Sequence, residues 1–168
     1  ALEGRKALKI EWDTKNLQTV SSETITADSY EAAKMEGDEL FNEGDVKAVF
    51  DSSNHIIEAA YETPYQAHVP MEPMNAIVSV TDTEVTFWGS TQHPNGIKSL
   101  LAKTYQLPED KVHINYTFRG GGVGRRGSND VAEEAADLSK KSGAPVKVIW
   151  TREDDLTQGP FRACSLNV

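Results

Sequence analysis

Cysteine is almost absent from this sequence. Cys164 stands alone among 168 residues, so no disulfide can close within the chain and no cysteine-rich zinc cluster can form. Histidine is scarce too: His55, His68, His93 and His113 are scattered. His68 and Glu72 flank PM in HVPMEP, but two candidate ligands are too few for a metal site. Long apolar stretches are missing, and no run approaches the ~20 residues of a membrane-spanning helix. Hydrophobic residues make up 38% of the chain, little for a compact domain, so part of the chain is expected to lie outside any core. Positive charge is short, with a net charge of −9. Between Glu23 and Glu58 ten acidic residues stand against two lysines, leaving eight of the nine net negative charges there. That stretch excludes nucleic-acid binding through its own face and reads as a solvated linker.

What the chain does have is patterning, mostly in its second half. At the start, RKALKIEW (5–12) alternates Leu8, Ile10 and Trp12 with Lys9 and Glu11, which predicts a short strand. Residues 14–27 read as linker. A helix is expected over 29–42, with Tyr30, Ala33, Gly37, Leu40 and Phe41 on one face, Asp28 and Glu31 as a capping box and Gly44 as its stop. From Ile56 strands are expected at 56–69, 75–81 and 84–90, the last two joined by a hairpin at Asp82–Thr83. Pro94 suits the first turn of a helix carrying Ile97, Leu100, Leu101 and Tyr105. VHINYTF (112–118) alternates as a strand. A second helix follows, capped by Ser128 or Asn129, with Val131, Ala135 and Leu138 inward and Gly143 past its end. PVKVIW (145–150) makes the next strand. Trp12, Trp88 and Trp150 all fall in these strands and are expected to pack in a core or interface. The fold class is therefore α+β, a mixed sheet covered by two helices and preceded by a short strand and a helical linker segment. The expected division is 1–13, 14–55 and 56–168.

Chemically, the strand–RGGGVGRRG–helix junction stands out. Glycines let the backbone approach a ligand and take positive φ, and the following helix offers unpaired N–H groups. Arg125 and Arg126 supply cationic donors suited to phosphate or carboxylate. The junction reads either as an anion-binding turn or as a tight turn whose arginines pair elsewhere. Gly122–Gly127 also matches G-x-G-x-x-G, the nicotinamide-dinucleotide fingerprint, with Arg152 and Glu153 placed to meet a ribose or its phosphate. Against it, the chain holds only one such unit and does not begin with it. Gln92 lies between a strand end and a helix start, where loops carry function.

Four segments in order carry a resemblance: PYQAHVPMEPMNA (64–76), STQHP (90–94), FRGGGVGRRGSNDVAEEAADLSKKSGAPVKVIWTREDD (118–155) and QGPFR (158–162). Together they resemble the molybdopterin-binding large subunit of the xanthine dehydrogenase and aldehyde oxidase superfamily. The double arginine, MEPMNA and WTREDD look like its isoquinoline 1-oxidoreductase beta branch, and ALKIEWD looks like the end of that family's a/b hammerhead domain. The resemblance implies a fragment of a molybdenum hydroxylase, an oxidoreductase that hydroxylates an N-heterocycle or aldehyde with oxygen from water. It implies a molybdopterin cofactor, in bacteria often the cytosine dinucleotide form. It also implies a small [2Fe-2S] subunit as electron acceptor and the remainder of the large subunit as partners. Residue by residue, Gln92 matches the family's glutamine beside the metal's oxo group. Gly121, Gly122, Val123 and Gly124 match its glycine–phenylalanine loop, Val123 replacing phenylalanine, and Arg125 follows as a further cofactor-binding candidate. Gly127 stands where xanthine-type members have a substrate-binding glutamate, which argues against a purine substrate. The family's catalytic glutamate falls beyond this chain, so no complete catalytic set, direct metal ligand or bound cofactor is expected in it.

Overall fold

Alternation of branched and aromatic residues in the second half of the chain builds a sheet, and two amphipathic segments cover it. In the computed structural model, which describes residues 2–17 and 20–167, the elements run in this order. They are α1 (Leu2–Ala7), α2 (Ser22–Ala32), α3 (Val46–Ser52), β1 (Ala60–Thr63), β2 (Asn75–Val80), β3 (Val85–Gly89), α4 (Pro94–Tyr105), β4 (Val112–Tyr116), α5 (Asp130–Ser142), β5 (Val146–Ile149), α6 (Arg152–Thr157) and β6 (Cys164–Asn167). The chain divides into two compact units, 1–63 with 163–168, and 64–162.

In the larger unit four strands lie in the order β4-β3-β2-β5. A hairpin joins β2 to β3, with Thr81 N–H donating to the Glu84 carbonyl at 3.0 Å across its turn. β4 runs parallel to β3, and β5 antiparallel to β2, so β3, β4 and β5 share one direction. Parallel neighbours need a crossover; α4 supplies one between β3 and β4, and α5 carries the chain from β4 to β5. Ala76, Val78 and Val80 of β2 and Val85 and Phe87 of β3 point to the helices and are buried. Each fully buried large side chain contributes about 1.5–3 kcal/mol. They meet Ile97, Leu101 and Ala102 of α4 and Val131, Ala132, Ala135 and Ala136 of α5 in one core. Pro94 opens α4 and a left-handed Gly143 closes α5, as expected.

α5 is rotated from the expected phase. Leu138 is about half exposed, while Ser139 is fully buried. Small Ala and Ser side chains let α5 lie close on β2, and the Ser139 hydroxyl accepts from Val80 N–H at 3.0 Å and donates to the Ala144 carbonyl at 2.8 Å. The end cap also differs: Asn129 stands at the cap without a side-chain hydrogen bond, and Asp130 Oδ1 accepts from Val131 N–H at 2.9 Å instead.

The smaller unit departs further from expectation. Residues 8–12 form no strand, and α1 precedes them; their alternation finds no neighbouring strand to satisfy its backbone. The helix expected over 29–42 lies at 22–32, inside the expected linker, because a capping box of Ser21 and Thr24 starts it seven residues earlier than Asp28 would. Of 56–69 only Ala60–Thr63 is a strand, and it pairs antiparallel with β6 rather than with the larger sheet. α1, α2 and α3 bury no residue, and Trp12 is 80% exposed. Trp12 therefore lies in no strand and packs in no core, contrary to expectation; of the three tryptophans only Trp150 is buried, Trp88 being 36% exposed. Cys164 is exposed.

Candidate functional site

The site lies at the end of the larger unit's sheet where β3 and β4 run out, and every residue in it belongs to that unit. β3 delivers Ser90, Thr91 and Gln92; β4 delivers Arg119 and the glycines. Thr91 is a local hub: its carbonyl accepts from Tyr116 Oη at 2.9 Å and Arg119 Nη1 at 3.2 Å, and its hydroxyl accepts from His93 N–H at 2.9 Å. Gln92 N–H donates to the Arg126 carbonyl at 2.8 Å, so the glutamine is fixed to the far end of the glycine loop.

Within the loop, every carbonyl from Gly120 to Gly124 except that of Val123 is engaged, while several amides are left over. Gly120 C=O accepts from Glu72 N–H at 3.0 Å, Gly121 C=O from Arg126 Nε at 2.9 Å, and Gly122 C=O from Arg125 N–H at 2.8 Å. Gly120 N–H donates to Glu72 Oε2 at 2.8 Å, and Gly124 N–H to Gln92 Oε1 at 2.9 Å. Among the described residues the N–H groups of Gly121, Gly122 and Val123 have no partner, nor does Gln92 Nε2. A run of unpaired amides with φ of +98° at Gly121, +51° at Val123 and +91° at Gly124 is a backbone concavity of the kind that takes oxygen anions. Positive φ is costly for a branched residue. Of three non-glycine residues that adopt it among those described, Val123 stands in the loop and Val69 adjoins Pro70, which the loop touches; Gln106 merely ends α4. Backbone strain is therefore concentrated here. Val123 is 75% exposed.

The two arginines are not presented to a ligand. Both are buried at 1% exposure. Arg125 makes a two-pronged pair with Asp130, at 2.8 and 3.4 Å, and stacks over Trp150 at 5.0 Å. Its Nε faces Asp155 Oδ1 at 3.5 Å, an ion pair without hydrogen-bond geometry, since both atoms lack a hydrogen-bond partner. Asp155 is held from its other side by Arg152 Nη1 at 2.7 Å, and Arg152 Nη2 reaches the carbonyls of Pro70 at 2.7 Å and Met71 at 3.1 Å. Arg126 donates to Gly121, Glu72 and Pro73 carbonyls and pairs with the Glu72 carboxylate at 3.0 Å. Burial lowers its pKa, with Glu72 and Asp155 opposing that shift. Of the expected contact residues, Gln92 and Gly121–Gly124 are thus brought together, whereas the Arg125 side chain is turned inward.

The sequence reading passed over Glu72 as a site residue. Burial raises its pKa, but hydrogen bonds from Asn75, Gly120 and Ser90 and the charge of Arg126 outweigh that and hold its carboxyl below the usual carboxylate range. His68 also lies beneath the loop, near Gly124, with Nδ1 buried and unpaired. The dinucleotide fingerprint is not reproduced. Its third glycine normally permits close helix–strand packing, but a side chain on Gly127 would meet nothing within 4 Å, and Arg152 is committed to Pro70, Met71 and Asp155.

The molybdopterin cofactor-binding domain family matches residues 27–164, most of the chain, and the chain belongs to that family. Within it, the chain is similar to the membrane-bound aldehyde dehydrogenase of Gluconacetobacter polyoxogenes, a protein named for pyrroloquinoline quinone. The identity is 33% over 169 residues, covering 99% of this chain and 22% of that protein. It is 38% identical over 99 residues to isoquinoline 1-oxidoreductase subunit beta of Brevundimonas diminuta, covering 58% of this chain and 12% of that one. Among solved structures, reconstituted CO dehydrogenase from Oligotropha carboxidovorans superposes with a TM-score of 0.60 at 26% identity, over 68% of this chain and 15% of that one. The chain thus spans about a fifth or less of the length of these relatives.

Proposed function

We propose that this chain supplies one wall of the molybdopterin site in a molybdenum hydroxylase, with Gln92 and the backbone of Gly121, Gly122, Val123 and Gly124 as its contacts. The observation that carries the proposal is the imbalance within the loop, where unpaired amides stand beside the free Nε2 of Gln92. Molybdopterin presents phosphate and metal-bound oxygens, all acceptors, so an array of donors fits it. Gly122 also sets where the glutamine sits: a side chain there would approach Gln92 Oε1 to 2.6 Å, so the Gln92 amide can lie against the loop only because residue 122 lacks one. When bound, the cofactor supplies two-electron oxidation of an electron-poor carbon using oxygen from water. The chain's own part is to orient it: Gly124 N–H fixes Gln92 Oε1, which turns the amide Nε2 outward as a donor. Arg125 acts from below, holding α5 against the segment that carries Asp155.

On this reading the substrate is an N-heterocycle or an aldehyde, the cofactor is the cytosine dinucleotide form, and electrons leave through a [2Fe-2S] partner. The rest of the large subunit completes the site. Alone, this chain binds no cofactor stably. One backbone donor at a helix end or loop contributes about 0.3–2 kcal/mol, and association costs on the order of 4–15 kcal/mol. Replacing Gly122 by Val in the intact enzyme tests the reading: pterin and molybdenum content per subunit is expected to fall sharply, and unchanged content refutes the role. The purified 168-residue chain is expected to carry no stoichiometric molybdenum.

A further inference from the structure

We propose that Glu72 is a positioning residue for the glycine loop, one that sets which loop amides are left free. This rests on the reading that the loop holds the cofactor, but it concerns geometry that exists without one. Glu72 binds the loop's first residue twice, through its own N–H to Gly120 C=O at 3.0 Å and through Oε2 to Gly120 N–H at 2.8 Å. The same oxygen meets Arg126 Nη2 at 3.0 Å. Arg126 then takes the next carbonyl, Gly121, through Nε at 2.9 Å. Oε1 is engaged by Asn75 Nδ2 at 2.9 Å, so the carboxylate is anchored to the start of β2. Ser90 Oγ, at 3.4 Å, ties it to the end of β3.

One carboxylate therefore joins the chain before β2, the chain after β3 and both ends of the loop. Its effect is to withdraw Gly120 N–H and, through Arg126, Gly121 C=O from the surface. What is left unpaired among the described residues is the run of amides from Gly121 to Val123, with the Val123 carbonyl the one loop carbonyl still without a partner. Without the carboxylate, Arg126 keeps its bonds to backbone carbonyls but loses its ion pair, so the guanidinium can shift. Its hold on the Gly121 carbonyl then loosens, and that carbonyl can turn outward as a competing acceptor. Close packing supports the same role: a side chain on Gly120 would come within 2.6 Å of Glu72 Cβ, so the loop and Glu72 are fitted to each other.

The test is amide NMR on the 168-residue chain, which needs no cofactor. In Glu72→Ala, Gly120 exchange is expected to rise by about tenfold or more. The amide shifts of Gly121, Gly122 and Val123 are expected to move, while those of Val78, Leu101 and Ala135 stay in place. Glu72→Gln keeps an oxygen acceptor for Gly120 but not the charge opposite Arg126, and partial restoration is expected. Unmoved Gly121–Val123 shifts in Glu72→Ala overturn the proposal. If that variant does not fold, Glu72→Gln decides, wild-type loop shifts counting against positioning and displaced ones for it. Pterin content of the intact enzyme carrying the same substitution separates the two ideas. A displaced loop with full pterin content sinks the cofactor role and leaves the positioning role standing; an unmoved loop with lost pterin does the reverse.

Discussion

Gly120 and Gly122 are two residues apart in one loop, yet replacing each by alanine has different consequences. At Gly120 the new Cβ lands 2.6 Å from Glu72 Cβ. That atom is one bond from the backbone and can retreat only if the segment through Glu72 moves, which also disturbs the bonds to Gly120, Asn75 and Arg126. Overpacking of this kind costs about 1–3 kcal/mol, and loss of a charge-assisted hydrogen bond a further ~1.5–3 kcal/mol if it breaks. At Gly122 the Cβ lands 2.6 Å from Gln92 Oε1 and 2.8 Å from its Cδ, the far end of an exposed flexible side chain. Gln92 can swing away at the cost of one neutral hydrogen bond to Gly124, about 0.5–1.5 kcal/mol. Since φ at Gly122 is not in the left-handed region, no backbone strain adds to it. Gly120→Ala is therefore expected to lower the melting temperature of the larger unit by about 10 °C or more once the hydrogen bond breaks, and Gly122→Ala by the smaller amount of about 2–12 °C, taking ~4–8 °C per kcal/mol for a unit of this size. Gly122→Ala should still displace Gln92, visible as a shift of its side-chain amide in NMR. Equal destabilisation by the two, or the reverse order, refutes this account of the loop's packing.

Other consequences follow from the same geometry. Arg125→Ala removes a buried cation and leaves Asp155 with Arg152 alone, so a loss of about 3–5 kcal/mol is expected in urea unfolding; a loss under about 1 kcal/mol means the buried pairs are dispensable. Val123→Asn should stabilise by about 1 kcal/mol, because asparagine tolerates a φ of +51° far better than a branched residue and Val123 makes little contact to lose; calorimetry showing destabilisation would contradict the strain. The depressed Glu72 pKa has a definite sign. Its stabilising contribution is complete above the ordinary value of 4.5 and is lost as pH falls through the lower folded-state value. Between pH 5 and pH 2, roughly, the native chain should lose more stability than Glu72→Gln, and parallel profiles would count against it.

The larger unit was readable because its sequence obeys two clean periods. Strict alternation of inward and outward residues is a strand period; 75–80 and 85–89 show it in their burial, 112–116 shows it in its apolar and polar residues although Tyr116 is exposed, and Pro94 and Gly143 mark helix ends. Leu138 misled because a leucine outweighs alanine in any apolar stripe, although closeness to β2 favours Ala132, Ala135 and Ser139. In the smaller unit, alternation at 8–12 had no partner strand, and Ser21 was a better cap than Asp28. Thr151 with Asp154 forms a capping box that marks α6 in the sequence. Gln92 and the glycines were legible as a candidate site from motif order, and the structure places them side by side. The burial of Arg125 and Arg126 was not, because most of what covers them is remote: Arg126 meets Glu72 across 54 residues, and Arg125, though paired with nearby Asp130, also packs on Trp150 and faces Asp155; a sequence shows charges without showing which ones meet.

The unpaired loop amides and the Gln92 amide are proposed to face the cofactor, and an experimental structure of the full-length protein with molybdopterin bound decides this. At least two of the Gly121, Gly122 and Val123 nitrogens, together with Gln92 Nε2, are expected at about 3 Å from cofactor or metal-bound oxygen atoms. A cofactor seated elsewhere, with these nitrogens hydrogen-bonded only to protein or solvent, contradicts it.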